Sequence, residues 1–517
     1  MDDLNAGTGA DTEQPPEHGD LRKRALGGLV WSFVQSWGGR AVTTALFLVL
    51  GRVLGPSVLG LAAYATLFVE FGRVLVDQGF SQTIVQREKV DDLDLDTAFW
   101  SAAALGAILA AASLVLAPWI AELFDRPAMT PLLRWLSLNF VLASLGSTHL
   151  GLLQRELRFR VLAIQRLVAT AVGGVVGVIM AVTHHGVWSL VAMQLVTTGV
   201  GTAILLVTSG WKPRMRFSPR RLRLMAGFGL NVMGLQLLDF LHTNGDNFII
   251  GLMLGDTVLG YYVMAYRIYT VTLEVLGTAV ASVAFPTFSR LAGDRVRLRR
   301  AYLESCRLTS TLAFPVFAGI AAVAPEITEI AFGPKFAPAA PMMRVLALIA
   351  LTYVAGWFMR SLLLAVGRAG MQLWASVIFV VFKLAIFAAF AKHGGVTRAL
   401  IAQLVIGLLF FPIDKWMLNA GGVGYLDHLK QFMRPLIACG AMVAAVALWR
   451  QTVAADWDVV LRLLTSGVVG VVAYGVALLL IGRSALLEIR QNLKTFLGRG
   501  GDDDSSSGAN DDNVVLA

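Results

Sequence analysis

Charged residues are scarce in this sequence. Asp, Glu, Lys and Arg together make up 15% of its 517 residues, whereas an average soluble chain is about 25% charged. Hydrophobic residues account for 56%, and a soluble fold of this length would need more polar residues to cover its surface. The composition therefore excludes a soluble enzyme, a nucleic-acid-binding protein and a disordered scaffold, and it indicates a membrane protein with several spans.

Cysteine is nearly absent, and the motifs of covalent chemistry are missing. Cys306 and Cys439 lie beside or within apolar segments, with no Cys or His at ligand spacing, which excludes a disulfide framework and a zinc site. The sequence contains no GxxxxGK motif followed by Ser or Thr, no HExxH and no GxSxG. The pair His184-His185 is interpreted as a solvated turn. We therefore expect a non-enzyme without a metal or cofactor.

Long apolar runs are abundant, and many are close to the roughly 20 residues that span a bilayer. Turn residues and charges divide them into fourteen predicted spans. Their approximate limits are 26–50, 58–80, 97–121, 129–150, 161–183, 186–209, 225–252, 257–288, 302–324, 340–366, 370–391, 396–418, 434–452 and 459–482.

The net charge of +9 arises from 43 Lys and Arg against 34 Asp and Glu. In a membrane chain, the cytoplasmic loops collect Lys and Arg, so this excess does not call for a nucleic-acid partner. With the N-terminus placed inside, the inner segments hold 28 basic residues and the outer segments hold 6. Fourteen spans with both termini in the cytoplasm follow from this asymmetry.

Both ends are predicted to lie outside the fold. The first residues are acidic and polar, unlike the basic start and apolar core of a signal peptide, and the chain from about 498 has too little apolar surface to fold. The predicted order is a disordered cytoplasmic N-terminus (1–21), a first lobe with helices 1–6 (22–210), a basic cytoplasmic linker (211–224), a second lobe with helices 7–12 (225–418), helices 13 and 14 (419–482) and a cytoplasmic tail (483–517).

The sequence repeats itself at an interval of about 200 residues. Gly51–Gly60 reads GRVLGPSVLG and Gly251–Gly260 reads GLMLGDTVLG. A second similarity follows between Ala117–Phe124 and Ala324–Phe332. Chance similarity of Gly and Leu is the alternative, but two matches in the same order favour duplication. Because the repeated unit has six spans, both copies enter the membrane in the same orientation, as in transporters whose parallel lobes enclose a central site. We predict an all-α polytopic protein with two pseudo-symmetric six-helix lobes and two C-terminal helices.

Ionisable side chains recur along single helical faces of the predicted spans. The sets are Glu70, Arg73 and Asp77 in the second span, Asp239, His242 and Asp246 in the seventh, and Arg267 and Glu274 in the eighth. Ionisable groups inside a membrane usually mark a substrate or ion pathway, which favours a water-filled cavity. The alternative is a set of salt bridges that fix the packing, such as Glu70 with Arg73.

The chemistry of these side chains suggests two roles. The guanidinium fork of arginine binds phosphate oxygens bidentately, and carboxylates suit coupling to protons or sodium. We assign substrate binding to basic residues within the spans: Arg40, Arg73, Arg267, Lys383 and Arg360. We assign ion coupling or cavity lining to the remaining ionisable residues: Glu70, Asp77, Asp239, His242, Asp246 and Glu274.

Five segments carry a family resemblance. They are Leu54–Arg87 (LGPSVLGLAAYATLFVEFGRVLVDQGFSQTIVQR), Gln154–Arg160 (QRELRFR), Asn244–Tyr269 (NGDNFIIGLMLGDTVLGYYVMAYRIY), Phe285–Leu291 (FPTFSRL) and Ala324–Phe336 (APEITEIAFGPKF). Together and in this order they resemble the bacterial polysaccharide transporters of the multidrug/oligosaccharidyl-lipid/polysaccharide exporter superfamily. The last four spans match that family only in hydropathy.

The resemblance implies two six-helix lobes, with spans one, two, seven and eight around a cavity. It also implies flipping of a lipid-linked oligosaccharide, typically on polyprenyl pyrophosphate, from the cytoplasmic to the outer leaflet of a bacterial inner membrane. Polymerase and glycosyltransferases of the same pathway would be its partners. The residues that match family motif positions are Asn244, Asp246, Asn247, Tyr261, Tyr262 and Arg267. A cation-coupled small-molecule exporter and a non-transporting scaffold for glycan synthesis are the alternatives.

Overall fold

The computed structural model describes residue 38 and residues 41–481, apart from 78–82, 86, 88 and 89. Within these ranges, only the backbone is described at 77, 226–232, 278–283 and 285. Every regular element in these ranges is a helix, so the prediction of an all-α membrane protein is confirmed. The predicted tails, Arg40 and the side chain of Asp77 lie outside the described residues.

The chain forms two compact units. The first contains Met1–Leu50 and Ala65–Leu237, and the second contains Gly51–Tyr64 and Leu238–Ala517. The segment Gly51–Tyr64 therefore packs with the later part of the chain, although it lies early in the sequence. The predicted linker, 211–224, belongs to the first unit.

The first unit is built from apolar helices joined by short turns. In chain order they are α1 (Ala41–Val53), α2 (Pro56–Asp77), α3 (Asp92–Leu123), α4 (Met129–Leu136), α5 (Leu138–Arg155), α6 (Phe159–Val182), α7 (Trp188–Thr208) and α8 (Pro219–Leu254). The end of α1 and the start of α2, within residues 51–64, and the part of α8 from residue 238 belong to the second unit. Aspartates 91, 92 and 94 surround the first turn of α3, where the positive end of the helix dipole favours negative charge.

The second unit contains the helices that follow α8. They are α9 (Asp256–Leu291), α10 (Arg295–Ala322), α11 (Ala324–Phe332), α12 (Ala339–Ala365), α13 (Ala369–Leu409), α14 (Phe411–Ala420), α15 (Tyr425–Thr452) and α16 (Val459–Ile481). Aromatic side chains of α9, α10 and α12, including Phe288, Phe317 and Phe358, form part of a buried core. The carboxylate of Asp294 caps α10 by accepting hydrogen bonds from the backbone N–H groups of Val296 and Arg297, both at 3.0 Å.

Gly60 and Gly260 are equivalent in the sequence repeat, and each packs against the helix that carries the other. A Cβ atom on Gly60 would lie 1.8 Å from the carbonyl oxygen of Asp256, and one on Gly260 would lie 1.9 Å from the carbonyl oxygen of Pro56. The first turns of α2 and α9 therefore touch backbone to backbone through a reciprocal pair of contacts. Small residues at such positions allow helices in a membrane to approach closely.

Within the second unit, a buried carboxylate joins the last two helices, α15 and α16, to α11. Glu326, at the start of α11, is fully buried, and its Oε1 atom lies 2.7 Å from Nη2 of Arg450 and 3.2 Å from Nε of Arg462. Arg450 also donates a hydrogen bond to the carbonyl oxygen of Ala322 at 2.8 Å. One acidic residue thus fastens α15 and α16 to α11.

Ten helical segments of the described residues are long and apolar enough to cross a membrane, with α4 and α5 together counted as one segment. Two predicted spans, 370–391 and 396–418, fall largely on α13, which is interrupted at Gly395 by a non-helical φ of 74° and continues beyond it. The seventh and eighth predicted spans fall on α8 and α9, which are not among the ten found in the described residues. The count of fourteen spans stays a prediction.

Candidate functional site

A buried ion pair joins α8 to α13 within the second unit. Lys383 Nζ lies 3.2 Å from Asp246 Oδ2, and the side chains are 7% and 2% exposed. Lys383 also donates a hydrogen bond to the carbonyl oxygen of His242 at 2.8 Å. Since an isolated charge is costly to bury, each partner makes the burial of the other tolerable.

The hydroxyl of Tyr262 completes this group from α9. It donates a hydrogen bond of 2.5 Å to Asp246 Oδ2, the same oxygen that faces Lys383. The other oxygen, Asp246 Oδ1, is buried and has no hydrogen-bond partner among the described residues. The carboxylate therefore has an unused acceptor, which a proton, a metal cation or a donor group on a substrate could occupy.

Local sequence explains why these helices meet closely. Gly245 precedes Asp246 in the NGDN motif, and a Cβ atom there would lie 2.5 Å from Cδ2 of Leu384 on α13. The absent side chain lets α13 pass close to α8, so that Lys383 reaches both Asp246 and the carbonyl of His242. Asp246 and His242 are four residues apart and therefore lie on one face of α8.

Aromatic rings surround the charged group. The ring of His242 lies 6.4 Å from Tyr353 in a stacked arrangement and 5.8 Å from Phe379. Tyr262 stacks on Tyr266 at 5.5 Å, and Tyr266 is followed by Tyr269 at 5.3 Å. The site thus combines an apolar lining with a few convergent polar groups, a composition typical of ligand pockets.

The remaining predicted residues of the second unit lie around this group. Arg267 is half-buried on α9, and Glu274, which is exposed, interacts with it electrostatically. Asp239 on α8 and Arg360 on α12 are both exposed, and both are within electrostatic range of Tyr353. The structure therefore places His242, Asp246 and Lys383 in direct contact, with Asp239 and Arg360 near the same aromatic wall.

In the first unit, the predicted charges lie on α2. Arg73 Nη1 lies 3.7 Å from Glu70 Oε1, and the side chains are 68% and 39% exposed. This distance is long for a salt bridge, and an exposed pair of this kind contributes little to stability. This geometry is compatible with two roles for Arg73. It could form a local ion pair with Glu70 that contributes to packing, or its exposed guanidinium could bind a ligand.

Sequence reasoning missed two features of the second unit. Tyr262 matched a motif position, but its hydrogen bond to Asp246 spans the turn at Gly255 and no periodicity within one helix reveals it. Arg462 was not among the candidate residues, and the structure pairs it with the buried carboxylate of Glu326. The signal in the sequence is Glu326 itself, an acidic residue in an otherwise largely apolar segment that needs a basic partner.

The sequence matches a known protein family and is similar to named bacterial proteins. The sequence model of a family described as "Polysaccharide biosynthesis protein" matches residues 49–341. The chain is 28% identical over 458 residues to the succinoglycan biosynthesis transport protein ExoT of Rhizobium meliloti (strain 1021), covering 88% of this chain and 93% of that protein. It is 25% identical over 405 residues to the lipopolysaccharide biosynthesis protein WzxC of Escherichia coli (strain K12), covering 77% and 80% respectively.

Solved structures share the fold. The lipid II flippase MurJ, in an inward closed conformation, superposes with a TM-score of 0.72 at 15% identity and covers 89% of this chain and 100% of its own. An inward-facing multidrug resistance MATE transporter of the MOP superfamily has a TM-score of 0.55 at 17% identity and covers 77% and 94%. At these identities the likeness concerns the fold alone.

Proposed function

The chain belongs to the polysaccharide biosynthesis protein family, and from this premise we propose that it flips a lipid-linked oligosaccharide across a bacterial inner membrane. The oligosaccharide is carried on polyprenyl pyrophosphate and moves from the cytoplasmic to the outer leaflet by alternating access, for the export of an exopolysaccharide, capsule or O-antigen-type glycan. The protein acts as a transporter and catalyses no covalent step. The names of ExoT and WzxC support this function.

The observation that carries the proposal is the buried pair of Lys383 and Asp246 inside apolar helices. Ionisable groups at such positions are costly, and they usually belong to a substrate or ion pathway. A pyrophosphate that leaves water needs positive charge and hydrogen-bond donors, and Lys383 offers both. The polyprenyl chain stays in the lipid, where its burial costs nothing.

Competition at this pair provides a mechanism for coupling. When a phosphate oxygen binds Lys383 Nζ, Asp246 loses its cation and becomes a buried, uncompensated carboxylate. It then binds a proton or a sodium ion, for which the unpartnered Oδ1 atom is an available acceptor. Release of that cation restores the ion pair and expels the phosphate, so that the binding of the substrate and the binding of the coupling ion are linked at one ion pair.

The tyrosine hydroxyl keeps Asp246 in place during the exchange. Because Tyr262 donates to Oδ2 at 2.5 Å, this oxygen keeps one hydrogen bond after Lys383 turns to the substrate. The aromatic rings around His242 exclude water and thereby strengthen the electrostatic discrimination between the two states.

Transport of the lipid-linked oligosaccharide is the experimental test. In a strain whose own flippase gene is deleted, the chain should restore surface glycan and remove the lipid-linked intermediate that accumulates on the cytoplasmic side. Lys383→Met should abolish both effects when they are scaled to the amount of protein in the membrane, whereas Lys392→Met, at an exposed lysine on the same helix, should not. Restoration by Lys383→Met, or no restoration by the unaltered chain, contradicts the proposal.

We propose in addition that both termini are cytoplasmic, on the basis of the 28 to 6 distribution of Lys and Arg. The native cysteines, Cys306 and Cys439, are both buried, so we expect them to give a low background in labelling with a membrane-impermeant maleimide. Single cysteines placed after Arg220 and after Arg490 should react only after the cells are opened. Glycosyltransferases that build the substrate and a polymerase that consumes it are the pathway partners we infer.

A further inference from the structure

The basic linker is fixed to the start of α3 by a set of polar contacts within the first unit. The backbone N–H of Arg214 donates to Asp96 Oδ1 at 2.8 Å, and the backbone N–H of Ser218 donates to Thr97 Oγ1 at 3.3 Å. In return, the indole N–H of Trp100 donates to the carbonyl oxygen of Arg214 at 2.8 Å. The linker thus has a defined conformation against α3.

Only some of the positive charges in this linker are neutralised. Arg214 Nη1 lies 3.1 Å from Asp92 Oδ2, and Arg221 lies 3.0 Å from Asp91 Oδ2 and 3.1 Å from Asp94 Oδ1. The other basic side chains are exposed and have no carboxylate partner among the described residues: Lys212, Arg216, Arg220 and Arg223. The linker therefore presents four uncompensated cations beside the end of a membrane-spanning helix.

An apolar groove of about 590 Å³ lies between this linker and α3. Its principal lining residues are Trp100, Ala104 and Ile108 from α3 and Met215, Arg216 and Phe217 from the linker. Met215 is 88% exposed and Phe217 is 51% exposed. Apolar side chains this exposed, next to four cations, form a surface with both an apolar and a positively charged part.

The position of the groove relative to a membrane follows from the sequence of α3. The aspartates at the start of the helix cannot enter hydrocarbon, and Trp100, about two turns further, is a residue type that prefers the interface. Trp100, Ala104 and Ile108 are spaced by four residues, so they form a stripe that extends about 12 Å from the interface into the hydrocarbon. Arg216 lines the same groove as Trp100.

We propose that this groove binds an anionic diacyl phospholipid of the leaflet that it faces. One acyl chain lies along the stripe from Trp100 to Ile108, and the phosphate is bound by Arg216 together with the neighbouring uncompensated cations. The carboxylates of Asp91, Asp92 and Asp94 at the start of α3 do not repel the headgroup, since they are paired with three arginines, Arg87, Arg214 and Arg221. A zwitterionic phospholipid would fill the same apolar groove but would gain less from the positive charge, so the site selects the headgroup.

Quenching of Trp100 by brominated lipids tests the proposal in the full chain reconstituted into vesicles. Because the chain has 12 tryptophans, the signal of Trp100 is obtained as the difference between the unaltered protein and Trp100→Phe. Phosphatidylglycerol with brominated acyl chains should quench this signal at a lower mole fraction than brominated phosphatidylcholine. Arg216→Gln should weaken the preference about fivefold, whereas Arg295→Gln, an exposed arginine at the start of α10, should leave it unchanged.

Three results would overturn the proposal. Equal quenching by the two lipids would remove headgroup selection, and no quenching of the Trp100 signal would show that no acyl chain occupies the groove. Displacement of brominated phosphatidylglycerol by added polyprenyl pyrophosphate would assign the groove to the transported lipid. If Trp100→Phe does not fold, native mass spectrometry of the detergent-purified chain should show retained phosphatidylglycerol, reduced in Arg216→Gln. None of these measurements depends on transport, so the proposed function is tested separately.

Discussion

Lys383 Nζ and Asp246 Oδ2 lie 3.2 Å apart, and both side chains are almost inaccessible to solvent. They are 137 positions apart in the sequence and belong to different helices, α13 and α8. The attraction between two buried charges only partly offsets the loss of their hydration. Replacement by apolar residues would therefore be tolerated by the fold, which makes a role in transport testable separately from a role in stability.

Removing the charge of Lys383 alone should destabilise the fold more than removing the charges of both Lys383 and Asp246. Lys383→Met leaves Asp246 buried without a cation, and we expect a loss of about 3–5 kcal/mol in the free energy of unfolding. The double variant Asp246→Asn/Lys383→Met removes both charges and should recover most of that stability. It should remain inactive in the surface-glycan assay, because no cation is left to bind phosphate.

Thermal unfolding of the purified variants in detergent gives the stability, and surface glycan gives the function. Lys392→Met is the matched control, since Lys392 is exposed on the same helix. Full activity of the stable double variant would show that the ion pair serves packing alone. Inactivity of Asp246→Asn under imposed proton and sodium gradients, at normal expression, would agree with the coupling role.

Arg73 and Arg267 should show graded losses if they bind a phosphate-bearing headgroup. Lysine keeps the charge but not the planar fork, so Arg73→Lys and Arg267→Lys should be partly active. Gln should lower transport by about tenfold or more, as expected for loss of a hydrogen bond to a charged group, and Glu should abolish it. Surface glycan at matched protein levels is the measurement.

Charge exchange distinguishes this role from local pairing. Arg73 Nη1 lies 3.7 Å from Glu70 Oε1, so the swap Arg73→Glu with Glu70→Arg would preserve a purely structural pair. The same holds for Arg267 and Glu274. Recovery of transport by either swap would rule out phosphate binding by that arginine.

The helices were predictable because their apolar runs are long and are interrupted by clear turn signals. The fifth span, for example, is predicted at 161–183, and the corresponding helix, α6, begins at Phe159 and ends at Val182. The break at Gly395 falls between the spans predicted at 370–391 and 396–418, and the count of fourteen spans stays a prediction. Asp246, His242 and Lys383 were identified as candidates from their charge alone. That Lys383 contacts Asp246 was not, because the contact depends on how α13 packs against α8.

The repeat was visible in the sequence, but the contact between its two copies was not. Gly60 and Gly260 correspond to each other in the repeat, and each faces the backbone of the other helix. Substitution by Ala would place a methyl group within 2 Å of a carbonyl oxygen in either case. The helices must separate to accommodate it, and overpacking of this kind costs about 1–3 kcal/mol.

We therefore expect Gly60→Ala and Gly260→Ala to lower the melting temperature of the purified protein. Gly319→Ala on α10 is the control, because a Cβ atom there meets nothing within 4 Å and alanine is the better helix former. The control should be neutral or slightly stabilising. Unchanged melting of both Gly60→Ala and Gly260→Ala would mean that the two helices are not in backbone contact.

The contact between α11 and the facing ends of α15 and α16 should depend on a single carboxylate. Glu326 is fully buried between Arg450 and Arg462, so Glu326→Gln leaves two arginines close together without a compensating charge. We expect a loss of about 3 kcal/mol, whereas Arg450→Gln should cost less, since Arg462 still neutralises the glutamate. Glu329→Gln, at an exposed position of α11, should have no effect.

Hydrogen exchange locates the effect as well as measuring it. The backbone of residues 453–458 joins α15 to α16 next to the two arginines, so weaker anchoring should raise its exchange rate and that of the adjoining helix ends. Protection of α12 should change little in the same variant, because α12 contributes neither arginine. Equal loss of protection throughout the second unit would contradict a local anchor and would make Glu326 a determinant of the whole fold.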